Sequence, residues 1–156
     1  MRTRTLALVI GFTALAVLVT ARQSSASEAF EREKHLQDVV DALRARLSIP
    51  DAVAVSVVPD NTLVVSVERA KNGTSGFVLS VEDDFVQRLN GEELDAVMAH
   101  ELGHVWIYTH HPFLQTEELA NEIAMRVVSR DVLQRLYEKV WERTGTRGKL
   151  TYLPGK

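Results

Sequence analysis

The sequence predicts a single α+β domain in which helices pack against a small β-sheet. Apolar residues recur near the 3.6-residue helical period over residues 28–47 and again after residue 90. Three short runs rich in β-branched residues lie between these two regions. A chain of 156 residues, 46% apolar and 25% charged, has the composition of a globular protein with one core.

The first 26 residues have the pattern of an export signal. Arg2 and Arg4 precede an apolar or small stretch from Leu6 to Ala21, and small residues follow. Cleavage is expected after Ala21 or Ala26, and the folded domain is expected over residues 27–156, in the periplasm or secreted. The alternative is an uncleaved membrane tether through residues 6–21, although a membrane span usually needs about 20 residues.

The first helix and the strands follow in order. A helix is expected from Glu28 to Leu47, because the residue before Pro50 is disfavoured in helical geometry. The predicted strands are Ala52–Val58, Thr62–Glu68 and Phe77–Val81. Turn-forming residues 59–61 separate the first two, which predicts a hairpin and a small antiparallel sheet.

Two longer helices are expected after the sheet. Asn90 stands three residues before Glu93, the spacing of a helix cap, and Pro112 interrupts the helical pattern. The segments predicted after the sheet are a short helix Phe85–Leu89, a helix from Asn90 to about Tyr108 or Thr109, a long helix from Thr116 to about Arg143, and a loop from Thr144 to Lys156.

The helix after Asn90 carries His100-Glu101-Leu102-Gly103-His104. Histidines four residues apart project from the same side of a helix, so both imidazoles can reach one metal ion. Glu101 lies about 100° around the helix, next to the open side of that metal. The run resembles the H-E-x-x-H pattern of the zincin metallopeptidases.

Composition limits the metal ligands and the partners. The chain has no cysteine, so a metal must be held by nitrogen and oxygen. The formal net charge of −3 and the lack of a basic stripe argue against nucleic acid as a partner. Catalytic zinc usually takes three protein ligands, so the two histidines need a third.

His110 is one candidate for the third ligand, because it occupies the last histidine position of the metzincin pattern H-E-x-x-H-x-x-G-x-x-H. That pattern requires a glycine where this chain has Ile107. A β-branched residue does not readily adopt the left-handed backbone geometry of the turn. If the helix continues, His110 faces away from His104, about 240° around the axis.

A glutamate from the next helix is the other candidate, as in gluzincins. Helical geometry places Glu117 about 70° from the centre of the apolar face, whereas Glu118 and Glu122 lie about 150° to 170° away. Glu117 therefore borders the buried face. Asn121 follows one turn later, either as a hydrogen-bond acceptor for a zinc-bound histidine or as a plain surface amide.

The segment Glu117-Glu-Leu-Ala-Asn121-Glu-Ile-Ala124 resembles the E-x-x-A-N-x-x-A segment of ImmA/IrrE-type peptidases and is similar to the E-x-x-A-D-x-x-A segment of M48 peptidases. The residues before His100 are similar to M48 chains as well. The resemblance spans about Glu92 to Val127 and implies a minimal gluzincin fold, with one small sheet, an active-site helix and a glutamate helix around one Zn²⁺.

The resemblance also implies an activity, a zinc-dependent endopeptidase acting on peptide or protein substrates, and the export signal predicts that it acts outside the cytoplasm. His100, His104 and Glu117 would hold one zinc ion per chain, and Glu101 would act as general base on a zinc-bound water. The strand Phe77–Val81 is expected at the sheet edge, where it could pair with substrate.

The alternative is a catalytically inactive binding or regulatory module of zincin fold. The sequence assigns neither the oxyanion-stabilising residue nor the oligomeric state. Tyr108, His110 and His111 are candidates for the former, although Tyr108 is expected in the core and the two histidines in a loop.

Overall fold

The computed structural model describes residues 10–71, 75–146, 148 and 152–153, with side chains from Ser27 onward. It has the predicted α+β class. The elements in chain order are α1 (Ile10–Arg46), β1 (Val53–Val58), β2 (Val65–Arg69), β3 (Phe77–Glu82), α2 (Asp83–Val86), α3 (Gly91–His110), a 3₁₀ turn (Pro112–Leu114), α4 (Glu117–Ala124) and α5 (Arg130–Thr144).

The sheet is mixed, so the predicted antiparallel sheet and its hairpin are wrong. The strand order is β1-β3-β2, with β1 parallel and β2 antiparallel to β3. The segment between β1 and β2 does not turn back on itself but crosses the end of β3. There the Asn61 side chain donates to the Ser80 carbonyl oxygen, and the backbone N–H of Glu82 donates to the Val64 carbonyl oxygen. Most of β3 is buried, which explains why it takes the central position.

Helix α3, which carries His100 and His104, begins as the sequence predicted. The Asn90 side chain accepts a hydrogen bond from the Glu93 backbone N–H, and the Glu93 carboxylate accepts one from the Asn90 N–H. This reciprocal capping satisfies two backbone donors that a helix start leaves unpaired. Helix α3 contacts α1, α4, α5 and β2, so it is the element around which the others pack.

The predicted long helix from Thr116 to Arg143 is broken into α4 and α5. Helix α4 ends at Ala124, and Ser129 caps α5 by accepting a hydrogen bond from the Val132 backbone N–H. Apolar periodicity does not reveal the break, because both halves carry an apolar face. The turn between them lets α5 pack against α3 as well.

Helices α3 and α4 approach closely at Gly103. A Cβ atom on Gly103 would lie 2.5 Å from the carbonyl oxygen of Ala120. Because backbone cannot yield as a flexible side chain can, this contact requires glycine. The close approach brings the start of α4 against the histidine-bearing face of α3.

The amino-terminal part of α1 overlaps the predicted export signal. Residues 1–9 and the side chains of residues 10–26 lie outside the described part of the chain. From Ile10 the helix continues through the predicted 28–47 segment to Arg46. Within the described residues, no helix combines the length and apolarity needed to span a bilayer. The predicted export signal over residues 1–26 therefore stays a prediction.

Candidate metal centre and active site

Helices α3 and α4 bring two imidazoles and one carboxylate together. The rings of His100 and His104 lie 4.9 Å apart, centroid to centroid. The Glu117 carboxylate oxygens lie 3.2 Å from His100 Nε2 and 3.5 Å from His104 Nε2. One potential ligand atom from each residue lies within 4.8 Å of the other two. The structure thus brings together the three residues that the sequence selected.

Asn121 fixes the orientation of His100. Its amide is fully buried, and Nδ2 donates to the carbonyl oxygen of Tyr152 at 2.8 Å. A carbonyl oxygen can only accept, so the other amide atom, Oδ1, faces His100 Nδ1 at 2.9 Å and accepts its N–H. In the neutral form of His100 the lone pair is therefore on Nε2, directed at the site. Asn121 is not the surface amide that the sequence left as an alternative.

Gln115 plays the same part for His104, and sequence reasoning missed it. Its Nε2 donates to the backbone carbonyl oxygen of His104 at 3.0 Å, which leaves Oε1 to accept from His104 Nδ1 at 3.1 Å. The lone pair of His104 is then also on Nε2. Gln115 lies in the irregular segment between the 3₁₀ turn and α4, where no helical periodicity gives a signal.

Glu101 lies beside the three clustered groups and is almost completely buried, with 8% of its surface exposed. Burial raises the pKa of its carboxyl group, and the nearby imidazoles of His100 and His104 counteract that rise in part. A carboxylate with little hydration is a stronger proton acceptor than one in water. This is the position that the sequence pattern assigned to a general base.

The clustered groups affect one another's pKa values. Hydrogen bonding to His100 and His104 holds the pKa of Glu117 well below its usual range. Burial lowers the pKa of His104, but its hydrogen bonds to Glu117 and Gln115 and the charge of Glu101 raise it overall. The site as a whole thus favours positive charge between these groups.

The rival ligand candidates lie elsewhere. His110 is exposed and stacks on the Trp106 ring, with centroids 4.1 Å apart and Nδ1 donating to the Trp106 carbonyl oxygen. Glu118 and Glu122 are exposed on the outer side of α4. Because Ile107 keeps α3 helical through this region, the turn that would bring His110 back does not form.

A cavity of about 500 Å³ opens beside the metal-ligand cluster. Strand β2 lies along one side, and Val97, Leu136 and Val140 contribute apolar lining. The expectation that β3 forms the sheet edge beside the site is wrong, because β3 is the central strand and β2 is the edge strand on the side of the cavity. A substrate backbone that pairs with the sheet here must therefore pair with β2.

Two tyrosines also line the cavity. Tyr108, expected in the core, is 40% exposed and packs edge-on against Phe77, with the Arg69 guanidinium 4.7 Å above its ring.

Tyr137 on α5 accepts a hydrogen bond from Asn121 Nδ2 at 2.9 Å. Burial raises the pKa of Tyr137 to about 12. The negative charges of Glu117 and Glu101 and a hydrogen bond to the Glu117 carboxylate add to the effect, and the hydrogen bond from Asn121 opposes it. Sequence reasoning did not single out Tyr137, because it did not predict the break before α5.

Fold and site together define a metallopeptidase of the zincin class. Residues 31–151 match the model of peptidase family M48, and the chain belongs to that family. The fold is similar to the crystal structure of the metallopeptidase zymogen of Pyrococcus abyssi abylysin. That likeness has a TM-score of 0.51 at 13% identity and covers 73% of this chain and 99% of the other. No curated protein sequence matches the chain.

Proposed function

We propose that this M48 peptidase is an exported, zinc-dependent endopeptidase with one Zn²⁺ per chain, held by His100, His104 and Glu117. The observation that carries the proposal is the convergence of three ligand atoms on one point with Glu101 beside them. Two neutral imidazoles and one carboxylate are a known ligand set of catalytic zinc, and they leave a fourth position open.

The hydrogen bonding of the two histidines supports a metal at this point. Asn121 and Gln115 both direct the Nε2 lone pairs toward Glu117. Three acceptor atoms within 4.8 Å of one another repel unless a cation lies among them. A proton on an imidazole would relieve that repulsion in part, and a divalent ion would relieve all of it. The residues present therefore fit zinc.

The proposed chemistry divides between the metal and the protein. A zinc ion held here would acidify water and polarise the scissile carbonyl group. The Glu101 carboxylate takes a proton from the attacking water as its oxygen bonds to the carbonyl carbon. When the C–N bond breaks, Glu101 returns that proton to the leaving amine. The apolar surroundings of Glu101 keep competing water away from the carboxylate.

Strand β2 supports a binding mode for an extended peptide. It is an edge strand, and Val65, Val67 and Arg69 line the cavity. An added strand would satisfy the free backbone groups of β2 on that side and place its scissile bond along the histidines of α3. The largely apolar cavity favours a substrate with a bulky apolar side chain next to the cleaved bond.

The test is a comparison of metal content and peptide cleavage in matched variants. We expect the purified wild type to contain about one zinc per chain and to cleave denatured β-casein in a chelator-sensitive way. Glu101→Gln keeps the side-chain shape and the ligands, so it should retain zinc and lose cleavage at least about 100-fold.

Substitutions in α4 provide the control. Glu117→Ala should lose zinc, whereas Glu118→Ala, one residue along the same helix and exposed, should keep both zinc and activity. Full cleavage by Glu101→Gln would overturn the proposed mechanism. Zinc loss in Glu118→Ala but not in Glu117→Ala would overturn the ligand assignment.

A further inference from the structure

Tyr137 is hydrogen-bonded to Asn121, the residue that orients His100. The Asn121 amide uses one N–H for the Tyr152 carbonyl oxygen and the other for Tyr137 Oη, at 2.8 Å and 2.9 Å. Since Tyr137 Oη accepts from Asn121, its own proton must point away from Asn121. The Tyr137 ring stands edge-on to the His100 ring, with centroids 6.0 Å apart. The O–H interacts with the Glu117 carboxylate, so the hydroxyl is a donor held against the metal-ligand cluster itself.

Other side chains among the described residues of the cavity lining also carry hydrogen-bond donors. Gln115 is held at both ends by His104, and Ser66, whose Oγ accepts from Asn61, lies on strand β2. Arg69 and Tyr108 stack on each other. Tyr108 follows His100 by eight residues on α3, about 12 Å along the helix axis. Among these donors, Tyr137 is the one in contact with both His100 and Glu117.

We propose that Tyr137 is a catalytic residue whose O–H stabilises the oxyanion formed when water adds to the scissile carbonyl group. This inference rests on the proposed peptidase function. In the addition step the carbonyl π electron pair moves onto its oxygen, and Tyr137 donates a hydrogen bond to that oxygen without giving up its proton. In the collapse step the pair re-forms the C=O bond, the C–N bond breaks, and Glu101 delivers the proton to the amine.

The position of Tyr137 follows from the break between α4 and α5. Helix α5 turns back onto α3, where Arg135, Lys139 and Arg143 form ion pairs with Glu92, Glu93 and Glu82. These pairs fix α5 on both sides of Tyr137. A donor held before the reaction begins needs no reorganisation when charge develops, which is the condition for strong oxyanion stabilisation.

The test is Tyr137→Phe, which removes one oxygen and leaves the ring in place. We expect zinc content and KM to be unchanged and kcat to fall about 100-fold to 1,000-fold. A phosphinic pseudopeptide mimics the tetrahedral oxyanion, so its inhibition constant should rise by about the same factor as kcat/KM falls. Calorimetric titration of the zinc-loaded protein measures that affinity independently of turnover.

Asn121→Ala separates a catalytic from a positioning role. This variant should weaken zinc binding, because it removes the acceptor for His100 Nδ1. If Tyr137→Phe weakens zinc binding to the same extent, or leaves both kcat and pseudopeptide affinity unchanged in an active protein, the role assigned to Tyr137 is wrong. A wild type without zinc or cleavage would overturn the proposed function, and the role of Tyr137 with it.

Discussion

At the residue scale, the two histidines of α3 are oriented by side-chain amides that are themselves held by backbone carbonyl groups. Asn121 comes from α4, and Gln115 comes from the segment before it. In each case a carbonyl oxygen determines which amide atom faces the imidazole, and so which ring nitrogen keeps its lone pair. Asn121 and Gln115, which are not among the three candidate ligands, therefore set the form of the site that could hold a metal.

Substitution of Gln115 tests this arrangement. Gln115→Leu keeps the side-chain volume but removes the acceptor for His104 Nδ1, so we expect zinc affinity to fall about 10-fold to 100-fold. Competition with a chelator of known affinity measures the change. The matched control is Gln87→Leu, because the exposed Gln87 side-chain amide donates to the Asp83 carbonyl oxygen and to no other described residue. Equal zinc affinity in the wild type and Gln115→Leu would show that Gln115 does not orient His104.

At the element scale, α5 is attached to the rest of the protein by three ion pairs along one side. The outermost, Arg135 with Glu92, is exposed, whereas Lys139 meets the buried Glu93 at 2.6 Å. Burial raises the pKa of Glu93, but hydrogen bonds from Lys139 and the Asn90 N–H and the charges of Lys139 and Arg135 outweigh it and lower the pKa. Glu93 thus joins the cap of α3 to α5.

Removal of the Lys139 charge should destabilise the protein more than removal of the Arg135 charge. Lys139→Met leaves the buried Glu93 without its cation, at an expected cost of ~2 to 3 kcal/mol in the free energy of unfolding at pH 7. Arg135→Met breaks an exposed pair and should cost under ~1 kcal/mol. Urea denaturation measures both.

The cost of Lys139→Met should also depend on pH. The pKa of Glu93 is lower in the folded protein than its ordinary value of 4.5, so the pair stabilises the fold above about pH 4.5. That contribution is lost as pH falls through the folded pKa, and the difference between wild type and Lys139→Met should shrink there. Equal costs for the two variants at pH 7, or a difference that grows in acid, would contradict this account of the pair.

At the scale of the whole molecule, α1 joins the proposed export segment to the catalytic domain. Leu36, Val40 and Leu43 on the carboxyl-terminal half of α1 are buried in the core, so this half belongs to the domain. The helical backbone continues toward residue 10, through both expected cleavage positions. If the export signal is cleaved, the amino-terminal part of α1 is removed, and the carboxyl-terminal half of α1 stays packed in the core of the domain.

The mature amino terminus decides between cleavage and tethering. On expression of the full chain in a bacterium, we expect protein outside the cytoplasm that begins at Arg22 or Ser27, because small residues precede both positions. Mass spectrometry of the fractionated protein measures this, and the double variant Ala21→Asp/Ala26→Asp should block cleavage. An intact chain in the membrane fraction would support the tether, and an intact chain in the cytoplasm would contradict export altogether.

The sequence by itself determined the local features of this protein. The spacing of His100 and His104 and the cap at Asn90 depend on interactions within about one helical turn, and such interactions are written in consecutive residues. The same geometry selected Glu117 over its neighbours, and the structure places its carboxylate beside both histidines. Residues 31–151 also carry the identity of the M48 family.

Only the tertiary structure decided which elements meet. Periodicity marks which face of a strand or helix is buried but not what buries it, so the sequence did not reveal that β3 is central or that β2 flanks the site. It also did not reveal the break that brings Tyr137 to Asn121, or the bonds of Gln115 to His104. These contacts join residues that are 11 to 16 positions apart, and they depend on how whole elements pack around α3.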